Sequence, residues 1–105
     1  MALFSIFNRA RKFAFVDSTD FHSHILPGVD DGVKTIDDSL FILSEYESWG
    51  IKEVFLTPHI MVDTPNRTDE LRARFQQLQS CYNGSINLHL SAENMLDDLF
   101  VERLQ

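Results

Sequence analysis

Ile51-Lys52-Glu53-Val54-Phe55-Leu56-Thr57-Pro58-His59 decides the architecture. Val54, Phe55 and Leu56 form the continuous apolar run expected where both faces of a parallel sheet are covered, and Pro58 stops it because proline has no N–H to give the ladder. His59 follows at once. Upstream, Thr35 offers a helix N-cap with Asp37 and Asp38 in the first turn, Leu40, Leu43 and Glu47 follow at helical spacing, and Trp49-Gly50 closes the helix. Downstream, a polar loop over 62–68 leads into a second helix whose Leu71, Phe75, Leu78 and Tyr82 fall at offsets of four, three and four.

Farther out, Ala14 to His22 reads as a first strand, apolar at Phe15, Val16 and Phe21. Asn83-Gly84 is a turn signal. Ile86, Leu88 and Leu90 then alternate with polar residues to make a third strand ending at Ala92-Glu93, and Leu96, Leu99, Phe100 and Leu104 open a third helix. Strand and helix thus alternate three times. That order predicts an α/β fold of parallel strands joined by right-handed crossovers, in which chemistry gathers at the carboxyl ends of the strands. His22 and His24 end the first strand, His59 the second and Glu93 the third.

The 105 residues hold one domain at most, and 44% apolar with 24% charged residues describes a soluble globular chain. A net charge of −7 disfavours nucleic acid and suits cations. The single cysteine, Cys81, allows no intrachain disulfide and fits a reducing cytoplasm. It is a poor nucleophile candidate, because Asn87 stands where a cysteine-dependent phosphatase would carry its phosphate-binding arginine. Residues 1–15 read as an N-terminal extension. Leu3, Phe4, Ile6 and Phe7 precede Arg9, Arg11 and Lys12, the reverse of a secretory signal, and no stretch is apolar for long enough to span a membrane.

Three histidines and a carboxylate on one rim of a sheet are what a divalent-metal site needs: neutral imidazole nitrogens, a charge-compensating oxygen and room for water. In an extended chain, residues two apart share a side, so His22 and His24 can serve one cation. Turn chemistry accounts for Asp30 and Asp31, which precede Gly32. His89 lies mid-strand, facing solvent or a helix. Arg67, in the loop after His59, is a candidate contact for an anionic substrate, although a solvated loop arginine is the plainer reading. Such a site would serve phosphate-ester, amide or lactone hydrolysis, and spacing does not choose among them.

The run Asp20-Phe21-His22-Ser23-His24-Ile25-Leu26-Pro27-Gly28-Val29-Asp30-Asp31-Gly32, then Thr57-Pro58-His59, then Ala92-Glu93, resembles the polymerase-and-histidinol-phosphatase (PHP) family. Within it, the "HILPGVDDG" form is similar to the CpsB/CapC-like, metal-dependent protein-tyrosine phosphatases of bacterial capsule and exopolysaccharide synthesis. The resemblance implies a distorted TIM-like barrel of parallel strands carrying divalent ions, usually manganese with iron or zinc as alternatives. His22, His24, His59 and Glu93 match its metal ligands. It implies a hydrolase that removes phosphate from tyrosines of a cognate cytoplasmic tyrosine kinase by attack of metal-activated water.

A full barrel of this kind takes about 200 residues or more. Residues 16–105 are therefore expected to be its N-terminal part, three strand-helix units with open sheet edges, weak or inactive alone and prone to self-association or to pairing with a complementing chain. Two other readings stand beside it. One is a non-catalytic remnant that binds a cation or partner; the other is a phosphoesterase for a small molecule such as histidinol phosphate.

Overall fold

A computed structural model describes residues 15–105. The expected N-terminal extension lies, Phe15 apart, outside these residues, as does Ala14 of the expected first strand. In chain order the elements are β1 (Thr19–Asp20), α1 (Ile36–Ser48), β2 (Glu53–Leu56), β3 (His59–Ile60), α2 (Thr68–Cys81), β4 (Asn87–Leu90), β5 (Glu93–Asn94) and α3 (Asp98–Leu104). The α/β class and the parallel pairing agree with the sequence: β1, β2 and β4 lie side by side, all parallel, and β3 pairs with β5 in the same sense.

The two sheets are one ladder with a gap. Glu53 pairs with Asn87 and Leu56 with Leu90, and beyond the gap His59 pairs with Glu93 at the same offset of 34 residues. Pro58 interrupts the strand because it cannot donate, yet its carbonyl still accepts Glu93 N–H at 2.9 Å, and Leu56 O accepts Ser91 N–H at 2.8 Å. Register therefore survives the proline, and the second strand runs on through His59–Ile60 where the sequence reading ended it. The first strand is shorter than expected. Asp17 turns with φ 60, and only Thr19–Asp20 joins the ladder, so His22 and His24 occupy the segment beyond it, outside any strand.

α1 begins where the sequence placed it, with Thr35 Oγ1 accepting Asp38 N–H at 3.1 Å. It ends at Trp49 and Gly50, where φ is +87 and an added Cβ would stand 2.8 Å from Val16 Cα, so glycine is required. Leu43 of α1 and Leu78 of α2 pack with Val54 and Leu56 of β2, each fully buried, in a core completed by Ile25, Leu26, Ile51, Ile60, Leu71 and Ile86. Among the described residues the helices and the buried core lie on one face of the sheet, where the apolar run suggested cover on both. Phe55 points to the other face and lies between Phe21 and His89, with ring centroids 5.5 and 4.5 Å apart, while Phe21 is 72% exposed. In a strand with period-two geometry, an apolar run of three does not by itself show that both faces are buried.

Candidate metal centre

The register just described sets the site. Because His59 and Glu93 are cross-strand partners, their side chains leave the same rim, and His59 Nδ1 lies 3.0 Å from Glu93 Oε2. The segment after β1 reaches the same point: His24 Nε2 is 3.1 Å and His22 Nε2 3.7 Å from that oxygen. The two Nε2 atoms stand 3.3 Å apart. The His22 ring meets His24 edge-on, and His24 stacks on His59 at 4.4 Å.

Each imidazole also has a partner at its other nitrogen. His24 Nδ1 lies 3.0 Å from Asp30 Oδ2, His22 Nδ1 lies 3.0 Å from Thr57 Oγ1, and Asp31 Oδ1 stands 3.4 Å from His59 Nε2. Asp30 is the most committed of the three partners. Its side chain is 1% exposed, Oδ1 accepts Gly32 N–H at 2.9 Å, and Oδ2 accepts His59 N–H at 3.0 Å besides facing His24. Burial pushes the Asp30 carboxyl up, but hydrogen bonds from Gly32, His59 and His24 outweigh it and hold the group below the usual carboxylate value. An ionised Asp30 only accepts, so His24 carries a proton on Nδ1; in the neutral ring that leaves Nε2 as the bare nitrogen toward Glu93.

Glu93 Oε2 is shielded from solvent and receives no hydrogen bond, close as the nitrogens are. The Glu93 side chain is 40% exposed as a whole, but this one oxygen is closed in by three imidazole nitrogens at 3.0 to 3.7 Å with no hydrogen bond from them, an arrangement that a cation between them would satisfy. The spacing suits one: two donors each about 2.1 Å from a common cation stand roughly 3 to 3.5 Å apart. His22, His24 and Glu93 form one group able to hold an ion; His24, Asp30, Asp31 and His59 form another. In the second group both Asp30 oxygens are already taken by N–H donors, which makes Asp30 an orienting group for the imidazoles.

A family model described as "Capsular polysaccharide synthesis, CpsB/CapC" matches residues 18–105. The chain belongs to the CpsB/CapC family. Tyrosine-protein phosphatase CpsB of Streptococcus agalactiae is 34% identical over 79 residues, covering 64% of this chain and 32% of that protein. The putative tyrosine-protein phosphatase CapC of Staphylococcus aureus is 27% identical over 92 residues, covering 82% of this chain and 35% of that protein. The chain spans about a third of the length of these curated relatives.

In this CpsB/CapC chain the four side chains expected on one rim, His22, His24, His59 and Glu93, do come together. Arg67 does not join them; its guanidinium faces Asp69 at 3.4 Å on the surface. His89 lies on the sheet face opposite the core, 2.6 Å from Glu53 Oε2. Sequence reasoning missed Asp30 and Thr57 as partners of the site. The turn reading of Asp30 was half the story: Oδ1 makes a turn bond to Gly32, and Oδ2, which faces His24 six residues back and accepts His59 N–H from 29 residues on, does the rest. Among the described residues, no helix is long and apolar enough to cross a membrane.

Proposed function

We propose that residues 18–105 carry the first ligand set of a divalent-metal-dependent protein-tyrosine phosphatase, with His22, His24, His59 and Glu93 as metal ligands and manganese as the preferred ion. The observation that carries this reading is Glu93 Oε2, shielded and without a hydrogen bond, within 3.7 Å of a nitrogen from each of three imidazoles. Three neutral nitrogens and one carboxylate oxygen suit manganese, iron or zinc. A cation held there would supply Lewis acidity toward a phosphoryl oxygen and lower the pKa of water at neutral pH. The chain's own residues bind and orient: Glu93 balances charge, and Asp30, Asp31 and Thr57 fix the imidazoles. The relatives, named as tyrosine-protein phosphatases, support phosphotyrosine protein as the substrate class. A tyrosine kinase of capsule or exopolysaccharide synthesis, in the cytoplasm, is the partner this reading implies.

The test is metal binding followed by turnover. Calorimetry with Mn²⁺ should give a saturable site that His22→Ala weakens at least tenfold. Hydrolysis of a phosphotyrosine peptide in Mn²⁺, however slow for this chain alone, should vanish with EDTA and with His22→Ala, and should exceed hydrolysis of histidinol phosphate. Turnover that survives His22→Ala would overturn the assignment.

A further inference from the structure

Thr57 precedes the proline that interrupts the ladder, and it grips the His22–His24 segment through both backbone and side chain. Its N–H donates to Ser23 O at 2.8 Å, and Ser23 N–H donates to Thr57 Oγ1 at 3.1 Å. The hydroxyl in turn lies 3.1 Å from Ser23 O, as donor, and 3.0 Å from His22 Nδ1. Ser23 is itself tied to β2 by its hydroxyl, which donates to Phe55 O at 2.9 Å. Thr57 is 6% exposed, so water competes little for these bonds.

A hydroxyl has one proton and two lone pairs. When its proton goes to Ser23 O and one lone pair is taken by Ser23 N–H, the position left for His22 is an accepting one. We infer that Thr57 is a positioning residue that holds His22 in its Nδ1–H tautomer, leaving Nε2 bare toward Glu93. This rests on the metal-centre reading for its purpose, since a bare Nε2 is what a cation takes, but not for its geometry. The opposite tautomer would turn the Thr57 proton from Ser23 O, which already accepts Thr57 N–H at 2.8 Å, toward His22 Nδ1, and would let His22 Nε2–H donate to His24 Nε2 at 3.3 Å; it is the competing arrangement that the spectra below distinguish. Asp30 acts on His24 in the same way, so neighbouring rings are set by a neutral hydroxyl and by a carboxylate. Threonine suits the task because branching at Cβ stiffens χ1 and keeps Oγ1 in place.

The experiment uses the full chain labelled with ¹⁵N-histidine. Long-range ¹H–¹⁵N spectra at about pH 8, where imidazoles are neutral, report each tautomer without metal, and Mn²⁺ calorimetry reports affinity. Wild type should show His22 as Nδ1–H. Thr57→Val should shift it toward Nε2–H and lower Mn²⁺ affinity about ten- to a hundredfold. Thr57→Ser, which keeps the hydroxyl, should restore the tautomer and bring affinity to within about threefold of wild type. A wild-type His22 in the Nε2–H form, or a Thr57→Val chain with unchanged tautomer and affinity, would overturn the inference. Should Thr57→Val fail to fold, the wild-type tautomer and Thr57→Ser still decide it. A wild-type chain with His22 as Nδ1–H that takes up no manganese would refute the metal-centre reading and leave the Thr57 assignment standing.

Discussion

His59 and Glu93 are register partners across a parallel ladder, and the same pairing sets His59 Nδ1 3.0 Å from Glu93 Oε2. The contact is a product of backbone pairing. Two strands that keep one offset past Pro58 must deliver residues 59 and 93 to the same rim, whatever the side chains are. The His22–His24 segment has no such ladder and depends on Ser23 and Thr57 to reach the rim.

Glu93→Gln should remove metal binding without unfolding the chain. The amide keeps the shape but loses the charge that balances a cation, and no hydrogen bond to Oε2 is lost, because none is made. At a hundredfold excess over its dissociation constant, Mn²⁺ stabilises a single-site protein by about 2.7 kcal/mol, enough to raise Tm by roughly 10 °C or more in a domain of this size. Wild type should show that rise and lose it in EDTA. Glu93→Gln should melt at one temperature in both.

Asp30→Asn should cost about 1–3 kcal/mol at neutral pH, since a buried acceptor of several N–H groups is replaced by an amide with one accepting oxygen. The pH dependence follows from the lowered carboxyl value. A carboxylate held below its unfolded value adds stability that is complete above the unfolded value, near 3.9, and fades as pH falls through the folded one. Urea melts from about pH 6 downward should therefore show the gap between wild type and Asp30→Asn narrowing with acid. A gap that widens would contradict the geometry at His24.

The alternation of strand and helix was legible because α1 carries its own cap and stripe, Thr35, Leu43 and Gly50, and α2 its apolar stripe, Leu71 and Leu78. The meeting of His22, His24, His59 and Glu93 was legible because each follows a strand on the same rim. What eluded the sequence was non-local. Proline at 58 reads as a stop, and only the partner strand shows the ladder resuming at His59. Residues 14 to 22 look strand-like in composition, yet the Asp17 turn confines pairing to Thr19–Asp20. Asp30 and Thr57 act on rings 6 and 35 residues away in the chain, and no local pattern encodes either contact.

Tyr82→Phe should flatten the alkaline limb of stability. The Tyr82 hydroxyl donates to Glu47 Oε1 and accepts Ile86 N–H at 3.0 Å. Burial and then the Glu47 carboxylate push its pKa up to about 12. A group whose folded value lies above its unfolded value, near 10, gives stability that is complete below pH 10 and is lost between about 10 and 12. The half-exposed ring is screened by solvent, so the loss at neutral pH is about 1 kcal/mol. Melts across that window should be shallower for Tyr82→Phe, with Tyr46, raised likewise to about 12 by burial and Asp20, providing the remaining slope.

Gly32→Ala and Gly28→Ala separate strain from crowding at the site. Gly28 has φ +73, but a Cβ there would meet only Lys34 O at 3.5 Å, so alanine should cost about 1 kcal/mol in backbone strain and leave Mn²⁺ affinity alone. At Gly32 an added Cβ would run into His24 O and His24 Cβ, atoms of the ligand segment itself. Backbone there cannot yield like the end of a flexible side chain, so the turn must move, and Asp30, which holds Gly32 N–H with one oxygen and faces His24 with the other, must move with it. Gly32→Ala should thus cost about 2–4 kcal/mol in urea melts and weaken Mn²⁺ binding at least tenfold. Equal effects at the two glycines would mean that close packing of the turn on His24 is not what orients the ring.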